Sequence, residues 1–190
     1  MTDSPRQRRY RAREQQILAL ARKIAEEEGW PAVTTRRLAQ EIDHSQPVIY
    51  QHFGSREQLI RAVTVQGFAE LAALVRDIAE AGRPALESLC RAYLDFGTRN
   101  PALYEAMFTR PTELPFAQSD TPAELRDSFE VLADAVAREA NFSDDDDVAA
   151  LTELFWATCH GLTSLHSAGR IPEHHLDHQI RRISSMIRGD

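Results

Sequence analysis

A chain of 190 residues with 43% hydrophobic, 27% charged and 7% aromatic residues has the makeup of a folded globular protein, so disorder is not the default. No apolar run approaches the roughly 20 residues of a membrane span, the polar, Arg-rich start has no apolar segment behind it, and Cys90 and Cys159 sit inside helical patterns as small core residues. A cytoplasmic protein without a membrane partner is expected. The net charge of −7 is unevenly spread: residues 1–65 hold 11 Lys+Arg against 8 Asp+Glu, and residues 66–190 hold 11 against 21. A basic head on an acidic body fits phosphate binding by the head.

Helical punctuation runs along the whole chain, and no segment alternates as a strand does. The fold class expected is all-α: a three-helix N-terminal domain joined by a long helix to a larger helical body. Residues 1–10, with Arg6, Arg8 and Arg9, read as a basic arm. Residues 11–28 form a first helix with Ile17, Ala21, Ile24 and Ala25 inward, stopped by Gly29 and Pro31. Thr34 caps a short second helix over 35–42, and Asp43 and His44 make a tight connection. Ser45 then caps a third helix over 46–53 with Pro47 in its first turn, where a missing N–H costs least. Ser55 to Gln58 reads as a capping box opening a long fourth helix.

Gly82 and Pro84 separate that helix from a fifth over 85–98, and Asn100-Pro101 opens a sixth. Residues 111–120 read as an irregular connection. Thr121-Pro122 restarts helix, with Leu125, Phe129, Leu132 and Val136 in register. Ser143 and the acids 144–147 begin the next, which runs to 168 and is apolar on more than one face through Leu151, Leu154, Phe155, Trp156, Leu162 and Leu165. After Gly169 and Pro172, a last helix carries Leu176, Ile180, Ile183 and Ile187 as a narrow seam at alternating four- and three-residue spacing.

Two short helices joined by about three residues and preceded by a longer one match a helix-turn-helix. Leu38, Ala39, Ile42, Ile49 and Phe53 are used by the core, which leaves Arg36, Arg37, Gln46, Pro47, Val48, Tyr50, Gln51 and His52 for the outer faces. Arg forks onto guanine, Gln pairs with adenine, and Pro or Val packs on a thymine methyl, so Arg36, Gln46, Pro47, Val48 and Gln51 are candidate base contacts. Thr34, Thr35, Arg37, Tyr50, His52 and Arg56 are candidate phosphate contacts, which position a helix without reading sequence. Double-stranded operator DNA is the expected partner. The domains expected are a basic arm over 1–10, a DNA-binding domain over 11–56 and a body over 57–190.

The run Thr34-Thr35-Arg36-Arg37-Leu38-Ala39-Gln40, followed by Gln46-Pro47-Val48-Ile49-Tyr50-Gln51-His52-Phe53, resembles the DNA-binding domain of the TetR family of regulators. That resemblance puts Arg36, Gln46 and Pro47 at base-contacting positions and Thr35, Tyr50, His52 and Arg56 at phosphate-contacting ones. It departs at Asp43, where Gly is common, and at His44, where a small apolar residue is common. Asp tolerates a left-handed backbone better than most residues, so the turn survives.

Further on, Tyr93 to Phe96, Asn100 to Phe108, Trp156, His160-Gly161-Leu162 and Gly169-Arg170 resemble a C-terminal subclass of the same family named for a Trp-His-Gly signature. The resemblance implies a repressor that dimerises through its last two helices and is released by a small, often apolar effector. Phe96, Tyr104, Met107, Phe108, Phe129, Trp156 and His160 are the candidate pocket. Leu151, Leu162, Leu165, Leu176, Ile180, Ile183 and Ile187 are the candidate dimer interface of a four-helix bundle.

An effector-independent or protein-responsive regulator is the alternative. His174 and His178, four apart beside His175 and Asp177, have a spacing that holds a metal, but no third ligand is fixed, and Cys159 and His160 point about 100° apart, too far to share a proton. No cofactor, metal or catalytic activity is expected.

Overall fold

The computed structural model describes residues 4–81, 86–111, 114–115, 118–140 and 145–189. Nine α-helices and no strand occur among them: α1 (Pro5–Glu28), α2 (Thr35–Glu41), α3 (Gln46–Phe53), α4 (Arg56–Glu80), α5 (Leu86–Arg99), α6 (Pro101–Phe108), α7 (Ala123–Glu139), α8 (Asp145–Ser167) and α9 (Glu173–Arg188). The all-α class expected from punctuation is the class observed. The separator Gly82-Pro84 and the Ser143-Asp144 cap lie outside the described residues.

Two compact units divide the chain: residues 1–67 with 100–114, and 68–99 with 115–190. This differs from the expected boundary after residue 56, since the first half of α4 and all of α6 group with the head. The reason is chemical. Glu26 on α1 accepts the N–H of Ala102 at 2.9 Å and of Leu103 at 3.0 Å, which satisfies two donors left open at the start of α6. Asn100, at the N-cap position, makes no cap bond itself, and its Oδ1 accepts from Arg22 at 2.9 Å. Trp30, 1% exposed, donates its indole N–H to the Ala102 carbonyl at 2.8 Å. On α4, Gly67 lies so close to Met107 and Leu103 that a Cβ there would come within 2.6 Å of the Met107 sulfur.

The expected arm over residues 1–10 is instead helix from Pro5 onward. Ser4 accepts the Gln7 N–H at 3.3 Å while the Gln7 side chain accepts the Ser4 N–H at 2.8 Å, a reciprocal cap with Pro at the first position.

Helix α4 is long and apolar enough to cross a membrane by length and composition. Leu59, Ile60, Val63, Phe68, Leu71, Ala72 and Val75 are nonetheless buried inside the protein, as in a core helix.

The second unit is built from α5, α7, α8 and α9, with Leu86, Leu89, Cys90, Tyr93, Leu94 and Phe96 of α5 and Phe155, Cys159 and Leu162 of α8 buried. Arg188 reaches Glu139 at 3.3 Å and Glu87 at 3.8 Å, and Arg91 pairs with Asp177. The α9 seam does not face outward as expected of a dimer interface. Leu176, Ile180, Ile183 and Ile187 are at most 6% exposed and pack against α5 and α8 of their own chain. Leu162 is buried as well, at 6%.

Candidate nucleic-acid interface

The α2–turn–α3 segment is fixed by local hydrogen bonds. Thr34 caps α2 by accepting the Arg37 N–H at 3.2 Å. At the other end, the Asp43 N–H reaches the Gln40 carbonyl at 3.2 Å and the His44 N–H reaches the Ala39 carbonyl at 2.8 Å, which is the Schellman pattern that satisfies final helix carbonyls. That pattern needs a left-handed residue after the C-cap, and Asp43 supplies it at φ 53°, the one positive-φ residue other than Gly among the described residues. The turn thus survives its departure from Gly. His44 is exposed, with Nδ1 against the Asp43 carbonyl. Ser45 stands at the α3 N-cap but makes no side-chain cap bond. Ile49 and Phe53 anchor α3 inward.

This arrangement sorts the candidate contacts. Arg36, Gln46, Pro47 and Gln51 are exposed and Val48 is half-buried. Among the described residues no acid or carbonyl engages Arg36, whereas its neighbour Arg37 forms a two-pronged pair with Glu28 at 2.6 and 2.5 Å. That pair holds the Glu28 carboxyl below its usual range and raises Arg37. Arg37, expected on phosphate, is therefore occupied within the protein. Arg56 is likewise engaged within the protein. Its Nε donates to the Val33 carbonyl and a terminal nitrogen to the Trp30 carbonyl, both at 2.6 Å, so its guanidinium ties the start of α4 to the loop before α2. Thr34 and Tyr50 are exposed, and the Tyr50 hydroxyl lies 3.4 Å from Thr35 Oγ1.

His52 is half-buried beneath Tyr10, with ring centroids 4.1 Å apart and planes 27° from parallel. Burial holds its imidazole below the usual range, opposed by Glu14 and assisted by Arg13. Its Nδ1 is buried without a partner, so that nitrogen is not presented to solvent. Tyr10 also donates its hydroxyl to the Gln51 carbonyl at 3.2 Å. The contributions of Tyr10, Glu26 and Glu28 were not legible from helical spacing, because each partner lies on a different element of the fold.

The seven candidate pocket residues do not fall in one unit. Tyr104, Met107 and Phe108 belong to the first, where Met107 is 2% exposed against Gly67 and the Tyr104 and Phe108 rings lie 4.8 Å apart. Phe96, Phe129, Trp156 and His160 belong to the second, where the Trp156 indole donates to the Tyr93 hydroxyl at 3.1 Å and burial lowers His160. Cys159 is buried, and its thiol is pushed up by Cys90 and by burial, the opposite of what a nucleophile needs. Among the described residues no three His, Cys, Asp or Glu side chains converge as metal ligands; His174 instead packs its ring edge-on to His175 at 4.4 Å.

Comparisons with known proteins agree with this architecture. A family model described as bacterial regulatory proteins of the tetR family matches residues 17–63, and one described as a tetracyclin repressor-like C-terminal domain matches residues 86–187. An HTH-type transcriptional regulator of Mycobacterium tuberculosis, Rv0681, is 28% identical over 146 residues, which cover 75% of this chain but 64% of that protein. The chain thus spans less than two thirds of that relative's length. Among solved structures, one described as a regulatory protein, SCO4313, superimposes with a TM-score of 0.79 at 20% identity, covering 98% of this chain and 100% of the other. BioQ bound to its double-stranded DNA operator superimposes with a TM-score of 0.64 at 20% identity, covering 93% and 98%.

Proposed function

The chain belongs to the TetR family of bacterial regulatory proteins, a family of regulators and not of enzymes, and from that premise we propose that it is a homodimeric repressor. In this reading α2 and α3 read a palindromic operator, and a small, mostly apolar effector releases it. The observation that carries the reading is the division of labour among three arginines. Arg37 and Arg56 are engaged within the protein, while Arg36 stands exposed beside exposed Gln46 and Pro47, without an ion-pair partner among the described residues. A guanidinium and an amide aimed at solvent from two adjacent helices suit bidentate readout of guanine and adenine in a major groove. Thr34, Thr35 and Tyr50 would donate to phosphate at the same surface. That one relative by structure was solved on its operator supports the same partner.

Dimerisation is assigned to a different face from the α9 seam. Leu151, Leu154, Thr158, Gly161 and Leu165 follow one another on α8 at three- and four-residue spacing, and Leu154 and Leu165 are 52% and 48% exposed. A two-fold dimer through that stripe presents two heads to half-sites about 34 Å apart. For the effector, Phe129, Trp156 and His160 are the half-buried aromatic candidates of the second unit. Preferential binding of the effector to a dimer with displaced heads would empty the operator. A thermal-shift screen of apolar compounds would identify it.

Selection of bound sequences from random DNA tests the reading. The expected product is a palindrome whose base preference changes with Arg36→Ala or Gln46→Ala, with the protein still folded. A protein that enriches no sequence, or an Arg36→Ala variant that selects the same operator equally well, would overturn it.

A further inference from the structure

The start of α1 holds a charge arrangement that helix stability does not favour. Residues 5–13 contain Arg6, Arg8, Arg9, Arg11 and Arg13 and no acid. The positive end of a helix dipole attracts anions and disfavours cations. These turns are nevertheless helical, closed by the Ser4–Gln7 cap and tied down at Tyr10.

Tyr10 is the one large aromatic of this segment, and it is attached to the end of the reading helix at two points. Its ring lies 4.1 Å from that of His52, and its hydroxyl donates to the Gln51 carbonyl at 3.2 Å. The 3.6-residue repeat then decides which arginines accompany it. Arg6 and Arg13, four before and three after Tyr10, share its face, and Arg9 flanks it. Arg6 and Arg9 are exposed, and Arg13 is near enough to His52 to act on its ring electrostatically. The stripe therefore runs beside the C-terminal end of α3, where His52 lies about 9 Å along the helix from Gln46 at its start.

We propose that the first turns of α1, latched to α3 by Tyr10, form a phosphate-binding surface for DNA flanking each half-site, with Arg6, Arg9 and Arg13 as its cations and Tyr10 as a positioning residue. The inference rests on the reading of α2 and α3 as an operator reader and extends its footprint. Because Tyr10 grips the α3 backbone, the arginines keep a fixed register to the reading helix, unlike charges on a loose tail. The contacts are to backbone, so they add affinity and salt sensitivity without adding base preference.

The test uses the full-length chain and its selected operator, in duplexes that either end at the half-sites or extend several base pairs beyond, with affinity measured by fluorescence anisotropy from 50 to 200 mM salt. Each phosphate contact contributes about 0.9 to the slope of log affinity against log salt. The Arg6→Ala/Arg9→Ala variant should lose about two from that slope on the extended duplex, making its affinity roughly tenfold less salt-sensitive across this range. On the short duplex it should match the unaltered protein, and its selected sequence should be unchanged.

Tyr10→Ala should reduce the slope in the same duplex-dependent way at unchanged thermal stability, and Tyr10→Phe, which keeps the ring, should restore most of it. An identical slope for the unaltered and doubly substituted proteins on the extended duplex would sink the proposal while leaving operator reading intact. A change in selected bases would do the same. If the unaltered chain binds no DNA, both readings fail together.

Discussion

Arg36, Arg37 and Arg56 present the same guanidinium, and their surroundings give them different work. At Arg56 the group satisfies the carbonyls of Val33 and Trp30, whose side chains are 0% and 1% exposed. Truncating it removes both bonds in a part-buried site, where the Trp30 carbonyl keeps the Val33 N–H at 3.1 Å and the Val33 carbonyl loses its side-chain donor, a loss of about 1–3 kcal/mol. Arg56→Ala should accordingly lower the midpoint of chemical denaturation while leaving the slope of operator affinity against salt unchanged. Arg56→Lys should recover little, since one ammonium does not match a fork donating to two carbonyls. A shallower salt slope at unchanged stability would return Arg56 to the phosphate role its residue type suggested. The sequence displays donors but not the acceptors that reach them from elsewhere in the chain. That Arg37 and Arg56 have internal partners was not legible, because Glu28 and the Val33 carbonyl come to them through folding.

At the scale of elements, local signals were the readable ones. The Gln58 N–H reaches Ser55 Oγ at 3.1 Å, as the capping-box pattern predicts. The turn from α2 to α3 survives Asp43 for the conformational reason given. The helical start of α1 was also written in the chain, as Ser4-Pro5 followed by Gln7, but the density of arginine there favours a disordered arm when charge is weighed first. Helix α6 shows what local signals miss. Its first N–H groups are served by Glu26, 76 residues from Ala102 and 77 from Leu103. A carboxylate accepting two N–H bonds at a helix start also meets the positive end of the helix dipole. Glu26→Ala should therefore destabilise the protein by about 1–2 kcal/mol, in the range of lost helix caps. Glu26→Gln, with one acceptor oxygen and no charge, should fall between. Hydrogen exchange localises the effect: amides of α6 should lose protection before those of α9, and uniform loss would show that Glu26 acts on general stability instead of on this cap.

Over the whole molecule, the question is which apolar surface the chain keeps for itself and which it offers to a second copy. A four-and-three spacing identifies a helical face without saying what covers it. On α9 that face is the inner one, with Ile180 and Ile187 each 1% exposed. On α8 the same spacing runs through residues 151 to 165, of which Leu151 and Leu165 are among the residues expected at the dimer interface and Leu154 is not, and it is the stripe left outside. Its 14 steps span about 21 Å, and a stable interface covers roughly 800 Å² per partner, which a single helical stripe one side chain wide does not fill, so a neighbouring surface must add to it. Met186, 59% exposed on the outer flank of α9, is the apolar residue available. Gly161 sits within the stripe with nothing within 4 Å of where its Cβ would stand, room that a partner backbone would use.

The two faces then give opposite outcomes on substitution. Leu154→Glu with Leu165→Glu alters exposed positions, where changes move stability by about 0.5 kcal/mol or less, yet places like charges across a two-fold seam. Sedimentation should show a folded monomer whose operator affinity collapses because two heads no longer bind as one. Ile180→Ala removes buried atoms and should cost about 2–5 kcal/mol, while the folded fraction remains dimeric. A dimer that survives both glutamates, or one lost with Ile180→Ala at full stability, would move the interface off the α8 stripe and back toward the α9 seam.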